Sequence, residues 1–263
     1  MSTVEPVPRS APVIELKDVS VAFTSGHGRR RRVLKAMDRV NLAIHAGETL
    51  GLVGESGSGK TTTAQVALGL RRWDSGTVTF AGEPLTRRLR DRAGRVAAVF
   101  QHPLWSLDPK HSALEAVCEP LHVTARGLPA ATRRERAAAM LRDVGLGEDY
   151  AQRRPHELSG GQRQRVSIAR ALVTNPEFIV FDEAVSALDV SVQAQILALL
   201  TALQSQHSFA ALFISHDLAA VRYVSHHVAV MVQGRIVEQS DTQTFYAGAA
   251  HPYSKQLIEE LNR

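Results

Sequence analysis

The stretch Gly54-Glu55-Ser56-Gly57-Ser58-Gly59-Lys60-Thr61 decides how this chain is read. It matches G-x-x-x-x-G-K-[ST] at every fixed position. The run Thr49–Val53 leads straight into it and is apolar without alternation, as expected of a strand buried on both faces of a sheet. Thr61 to Leu70, beyond it, has helical character. The spelling follows from chemistry. Glycines let the backbone wrap closely enough for its N–H groups to point at phosphate oxygens. The next helix turns its positive end toward the same oxygens. Lys60 sets an ammonium between the β- and γ-phosphates, and Thr61 offers a hydroxyl to Mg²⁺. Gly54, Glu55, Ser56, Gly57, Ser58, Gly59, Lys60, Thr61 and Thr62 are therefore the nucleotide-binding candidates. A Gly/Ser linker ending by chance in Lys-Thr would not sit between a strand and a helix.

This loop says only that a nucleoside triphosphate binds. Kinases, GTPases, helicases and transport ATPases all share it. A second element narrows the choice. Phe178-Ile179-Val180-Phe181-Asp182-Glu183 is an apolar strand ending in two carboxylates. Buried charge is costly unless compensated. Two acids beside a phosphate site are compensated by a metal. Asp182 is the expected Mg²⁺ partner through the water shell. Glu183 is expected on the other side of the strand end, where it can polarise the attacking water.

Outward from these elements, strands are expected at Val13 to Phe23, Val40 to Ile44, Thr77 to Phe80 and Val96 to Phe100. From His102 to Thr174 strand signals vanish. Leu114 to Leu121, Arg133 to Val144 and Gln162 to Val173 read as helices, which points to an inserted helical subdomain. After Asn175-Pro176 the β pattern resumes. Ser191 to Gln206 is an amphipathic helix, Ala211 to Ile214 and Val228 to Val232 are strands, and Gln233-Gly234-Arg235 turns a hairpin into Ile236 to Glu238. Alternating strands and helices imply a largely parallel α/β sheet. The expected division is a flexible tail over 1–12 and a single domain over 13–263. Within it, 13–101 and 176–240 form the nucleotide-binding core, 102–175 the helical subdomain and 241–263 a C-terminal tail.

Composition excludes several classes. With 263 residues, 44% hydrophobic and 22% charged, whole-chain disorder, collagen and coiled coil are ruled out. One cysteine excludes a disulfide framework or cysteine-rich metal cluster, and Cys118 reads as a small core residue. Aromatics at 5% argue against a stacking platform for single-stranded nucleic acid. The net charge of +5 raises anionic partners, but the basic residues are scattered, and the run Arg29 to Arg32 reads as a solvated loop. No apolar stretch is long enough to span a bilayer, and Met1 to Pro12 lacks an apolar signal region. The expected place is the cytoplasm, with any membrane span supplied by another chain.

Leu158-Ser159-Gly160-Gly161-Gln162 opens the helix ending at Val173, just upstream of the carboxylate strand. With Gln101 after an apolar strand, Ser186-Ala187-Leu188-Asp189 after the acids, and His216 after the following strand, the motifs stand in an order that resembles the ATP-binding cassette (ABC) transport ATPases. The resemblance covers nearly the whole chain. It implies a P-loop NTPase (RecA-like) parallel-sheet core with an N-terminal antiparallel β subdomain and an inserted α-helical subdomain. It implies ATP and Mg²⁺, and a head-to-tail dimer in which Ser159, Gly160, Gly161 and Gln162 face the γ-phosphate bound on the other subunit, a copy or a paralogue. Gln101 would contact Mg²⁺ and the water and link the site to a membrane partner. His216 would bridge the γ-phosphate and the far subunit, orienting the reaction. Asp189 would shape the subunit contact, and Phe23 would stack on adenine.

Gln101 to Pro109, Glu119-Pro120-Leu121, Ser186 to Gln195 and His251-Pro252-Tyr253 resemble the oligopeptide, dipeptide and nickel importers. The implied protein is the ATP-hydrolysing subunit of an importer of peptides or a related small solute, nickel or a metal chelate included. It would lie peripherally on the cytoplasmic membrane face, with transmembrane permease subunits and, through the complex, an extracytoplasmic substrate-binding protein; no nucleic acid is expected. The alternative is the ATPase of an exporter or lipoprotein-release system. Two departures stand out: Ala184 replaces the usual proline after the acid, and the cysteine-bearing C-terminal extension of many relatives is not seen. Trp105 is the expected anchor for the permease, in a groove lined from Gln101 to Leu107 and on to Leu121.

Overall fold

In the computed structural model, residues 11–25, 32–86, 88–101 and 107–261 are described. The alternation of Ile14, Leu16, Val19 and Val21 builds β1 (Ile14–Ser25), which buries all four side chains. β1 pairs antiparallel with β2 (Arg32–Ile44) and with β4 (Ser75–Phe80), and β4 pairs with β5 (Glu83–Pro84). This four-stranded sheet has the order β2-β1-β4-β5. β2 starts well before the expected Val40; its first half, with Lys35 and exposed Val33 and Leu34, lacks the clean alternation of its second half. Of the arginine run, 29–31 lie outside the described residues, while Arg32 begins β2.

The second sheet has six strands in the order β10-β9-β3-β8-β7-β6. Its members are β3 (Thr49–Val53), β6 (Val96–Phe100), β7 (Phe178–Asp182), β8 (Ala210–Ile214), β9 (His227–Val232) and β10 (Arg235–Asp241). β6, β7, β8, β3 and β9 are parallel, and β10 closes one edge as the antiparallel arm of a hairpin. β3, β7 and β8 are buried at every residue. Their two faces feed two cores. Leu50, Leu52, Phe178, Val180, Leu212 and Ile214 pack toward the antiparallel sheet and α1 (Lys60–Ala67). Val53, Ile179, Phe181, Ala211 and Phe213 pack toward the helices.

The segment between β6 and β7 is helical, as its sequence implies. α2 (Ala113–Thr124), α3 (Ala130–Asp143), the short α4 (Glu148–Ala151) and α5 (Gly160–Leu172) carry it. Cys118 is buried in α2, and α3 buries Ala137, Met140 and Leu141 under an exposed face with Arg134 and Arg136. α6 (Val190–His207) follows β7. Besides the short α4, three helices have no counterpart among the expected ones: α7 (Leu218–Val224), α8 (Thr242–Gly248) and α9 (Pro252–Leu261). The last two occupy 242–261, where only a tail was expected. Phe245 is fully buried, and Tyr253, Leu257 and Ile258 pack on the main core. Among the described residues no helix is long and apolar enough to cross a membrane.

Candidate functional site

Parallel strands carry their ligands beyond their carboxyl ends, and here the register draws the site residues into a row. Leu52 pairs with Ile214, Ile214 with Asp182, and Asp182 with Phe100. The residues just past this row belong to the phosphate loop after β3, to His216 after β8, to Glu183 after β7 and to Gln101 after β6. They open on one cleft of about 580 Å³, within the usual range for a small-molecule site. Its lining includes Phe23, Gly54, Ser56, Gly57, Gly59, Lys60, Thr61, Thr62, Gln101, Asp182, Glu183 and His216.

The phosphate loop is held by close backbone contacts. Gly54 has φ +146° and Gly59 φ +113°. A Cβ on Gly54 would run into the Met231 carbonyl of β9, and one on Gly59 into the Ala36 carbonyl of β2, with Met231 Cε at 2.8 Å. Gly234 N–H, in the β9–β10 turn, donates to the Ser58 carbonyl at 2.8 Å. Ser58 is buried, its hydroxyl has no hydrogen-bond partner among the described residues, and neither Ser58 nor Glu55 lines the cleft. Lys60 Nζ donates to the carbonyls of Gly54 and Glu55 at 2.7 and 2.8 Å. Desolvation lowers its pKa, opposed by the charges of Glu183, Asp182 and Glu55. The lysine thus stands beside two acids and is parked on its own loop, ready to exchange two carbonyls for phosphate oxygens.

Asp182 is buried, and its pKa is raised, first by desolvation and then by Glu183; the Lys60 charge and a hydrogen bond from the Thr61 hydroxyl pull the other way. Strand alternation predicts Glu183 on the opposite side of the strand end. Both acids line the same cleft instead. Strict strand alternation would have separated them, but Glu183 has φ +53°. This left-handed residue breaks the pleat and swings its carboxylate back beside Asp182, a strain typical of functional positions. The turn is held by Glu183 N–H on the Ile214 carbonyl at 2.9 Å, and by Ser186 N–H and hydroxyl on the Glu183 carbonyl at 3.2 and 2.9 Å. These bonds fix the turn that Ala184, in place of a proline, leaves free. Glu183 Oε2 lies 2.8 Å from His216 Nδ1.

The remaining candidates lie elsewhere in the chain. Ser159 caps α5: its hydroxyl accepts from Gln162 N–H while the Gln162 side chain accepts from Ser159 N–H, a reciprocal capping box. Gly161 must be small, because a Cβ would come within 2.5 Å of Val192 Cγ1 on α6. Asp189 caps α6 by accepting from Val192 N–H at 3.0 Å. The Ser159–Gln162 stretch and Asp189 therefore share one patch, outside the cleft of their own chain. Leu34, Ala36 and Ile214 also line the cleft and were not anticipated. Leu34 stands opposite Phe23 in the β1–β2 ladder, and only strand pairing, which is invisible in one sequence, could have found it.

A second groove, about 440 Å³, runs along β6 between α2 and α5, lined by Val96 to Phe100, Pro120, Val123, Thr124 and Arg170 among others. Trp105, the expected anchor, lies outside the described residues. Leu107 and Leu121, expected to line a groove, are buried in the core.

The cleft suits a magnesium nucleotide. Backbone rather than side chains forms the loop's inner wall, and a lysine with exchangeable partners stands inside it. Among the described residues no group of three or more His, Cys, Asp or Glu side chains could form a metal cage. The Thr61 hydroxyl and Asp182 carboxylate, hydrogen-bonded to each other, are instead a pair that would suit a hard cation keeping waters and phosphate oxygens in its shell.

Comparisons with known proteins agree with this chemistry. The family model described as "ABC transporter" matches residues 37–186. A Brucella abortus protein provisionally named as a peptide import ATP-binding protein is 46% identical over 261 residues, covering 95% of this chain and 77% of that protein. The oligopeptide transport ATP-binding protein OppF of Bacillus subtilis is 39% identical over 254 residues, covering 95% of this chain and 82% of OppF. Among solved structures, the dimeric MJ0796 cassette of a bacterial ABC transporter superposes with TM-score 0.75 at 31% identity, covering 87% of this chain and 98% of that one. CbiO1 of Clostridium perfringens, part of the CbiONQ transporter complex, superposes with TM-score 0.81 at 25% identity, covering 96% and 95%. With its P-loop core, antiparallel β subdomain and helical insert, and with ATP and Mg²⁺ as its ligands, this chain belongs to the ABC transporter family as an ATP-hydrolysing cassette.

Proposed function

We propose that this chain is the energy-coupling subunit of an importer that carries peptides. The observation that carries the reading is the cleft itself, where a phosphate loop, Asp182, Glu183, His216 and Gln101 meet, in a chain 46% identical over 95% of its length to a protein named for peptide import. In this reading Lys60 leaves the Gly54 and Glu55 carbonyls for the β- and γ-phosphates, and the loop N–H groups hold the same oxygens. Mg²⁺, held by Thr61 and Asp182 with Gln101 nearby, would neutralise charge on the phosphates. Glu183 accepts a proton from the attacking water, and His216, hydrogen-bonded to that carboxylate, fixes its direction.

Ser159 to Gln162 and Asp189 form a patch away from this cleft, which supports a role against a second subunit's nucleotide. The N-terminus of α5 is an anion site delivered to the partner. The groove beside β6 lies next to Gln101 and supports docking of a permease segment there. The chain would then sit on the cytoplasmic face of the membrane, with a substrate-binding protein on the far side of the complex.

The test is transport. The chain is reconstituted in proteoliposomes with its permease chains and binding protein, with ATP on the cassette side. A labelled oligopeptide should move toward the cassette side, and Lys60→Ala should stop it. Outward movement of peptide, or ATP-driven uptake of another solute with peptides excluded, contradicts the reading.

A further inference from the structure

Phe23 lines the cleft, and one face of its ring is already covered. The Arg71 guanidinium lies over the ring, 4.5 Å from its centroid. Arg71 Nε donates to Gln65 Oε1 at 2.8 Å, and Gln65 belongs to α1, the helix that the phosphate loop opens. The N–H groups of Leu70 and Arg71 both end on the Gln65 carbonyl, at 2.8 and 3.1 Å. On the other side of this turn, Asp74 accepts from the N–H of Ala22, the neighbour of Phe23, at 2.7 Å, and Asp74 N–H reaches the Ser20 carbonyl at 2.8 Å. The turn is thus tied to both α1 and β1. Neither Arg71 nor Gln65 lines the cleft, so the guanidinium holds the ring face turned away from it.

We propose that Arg71 is a positioning residue for the nucleotide base. Held by Gln65, it fixes the plane of Phe23 and presents the free face as a preformed platform, while linking that platform to the phosphate-loop helix. The proposal rests on the reading that Phe23 stacks on the base. A phenyl ring at the rim of a cleft would otherwise lose rotamer freedom on binding, and a ring already ordered by a cation loses less.

The experiment measures binding of ATP and of inorganic tripolyphosphate, both with Mg²⁺, by calorimetry on the full chain. Arg71→Met keeps the apolar stem and removes the guanidinium. It should weaken ATP about 3- to 10-fold and leave tripolyphosphate unchanged. Phe23→Leu should also weaken ATP only, and adding Arg71→Met to Phe23→Leu should cost nothing more. Equal losses for ATP and tripolyphosphate, or an undiminished Arg71→Met effect without Phe23, would show a general structural role and overturn the proposal. If Phe23→Leu weakens ATP but Arg71→Met does not, the positioning role fails while the stacking reading survives. If Phe23→Leu leaves ATP binding unchanged, both fail together.

Discussion

Replacing Gly59 by alanine tests the phosphate loop where its geometry is tightest. The residue has φ +113°, and a Cβ there would meet the Ala36 carbonyl oxygen well inside contact distance and Met231 Cε at 2.8 Å. The Ala36 carbonyl is backbone of β2, at the bulge where the β1–β2 register shifts, and cannot swing aside as the Met231 side chain can, so the loop must give way. An alanine at such a φ costs about 1–3 kcal/mol, and forcing a methyl into a filled space costs about 1–3 kcal/mol more. Gly57 supplies the control. Its φ is +79°, but nothing among the described residues lies within 4 Å of its Cβ position, so only the backbone cost remains. The steric part alone separates the two variants by about 5- to 150-fold in ATP affinity, at tenfold per 1.4 kcal/mol. Calorimetric titration with a non-hydrolysable ATP analogue, beside thermal melts, reads both. Gly57→Ala should bind about 5- to 150-fold more weakly than wild type, and Gly59→Ala more weakly still. An affinity for Gly59→Ala within threefold of wild type would refute the reasoning.

Three other outcomes follow from the site. Asp182 holds its proton more tightly in the fold than in the unfolded chain, because burial and Glu183 raise its pKa. Folding therefore takes up protons, and stability falls as pH rises from the ordinary value of 3.8 through the raised one. Asp182→Asn should melt above wild type near neutral pH without nucleotide, with the advantage vanishing as the medium approaches that ordinary value. Lys60→Ala should nearly abolish binding of a fluorescent ATP analogue, since the cradle loses its mobile cation. Ser159→Ala should cost about 1 kcal/mol through loss of the α5 cap, a drop of about 2–4 °C in Tm, while leaving ATP binding by the isolated subunit intact.

What was legible in the sequence is what is local. The phosphate loop, the β7 run with its acids and the capped start of α5 each carry their structure in a few adjacent residues, so they could be read directly. The direction of Glu183 could not, because the left-handed turn is held by Ile214 across the sheet and by Ser186 beyond the strand. Ala36, Met231 and Gly234 support the loop from strands far away in sequence. The helices α7 and α8 are short, with seven residues each, too few for a clear apolar period. Their signals were the caps: Asp217 accepts from Ala219 and Ala220 N–H, and Asp241 from Thr244 N–H.

In the proposed mechanism Glu183 acts on water and not on the nucleotide, in a cleft completed by the second subunit's Ser159 patch. Glu183→Gln keeps the shape, removes the acceptor charge and relieves repulsion against Asp182 and the γ-phosphate. The most direct measurement is ATP affinity, hydrolysis rate and ATP-dependent elution volume on one preparation of this variant, alone and with any paralogous cassette. Affinity should at least equal wild type, hydrolysis should be slower by about 10²- to 10⁴-fold, and a dimer should form with ATP and be lost when Ser159→Arg is added. Hydrolysis at the wild-type rate, or a dimer that survives Ser159→Arg, contradicts this mechanism.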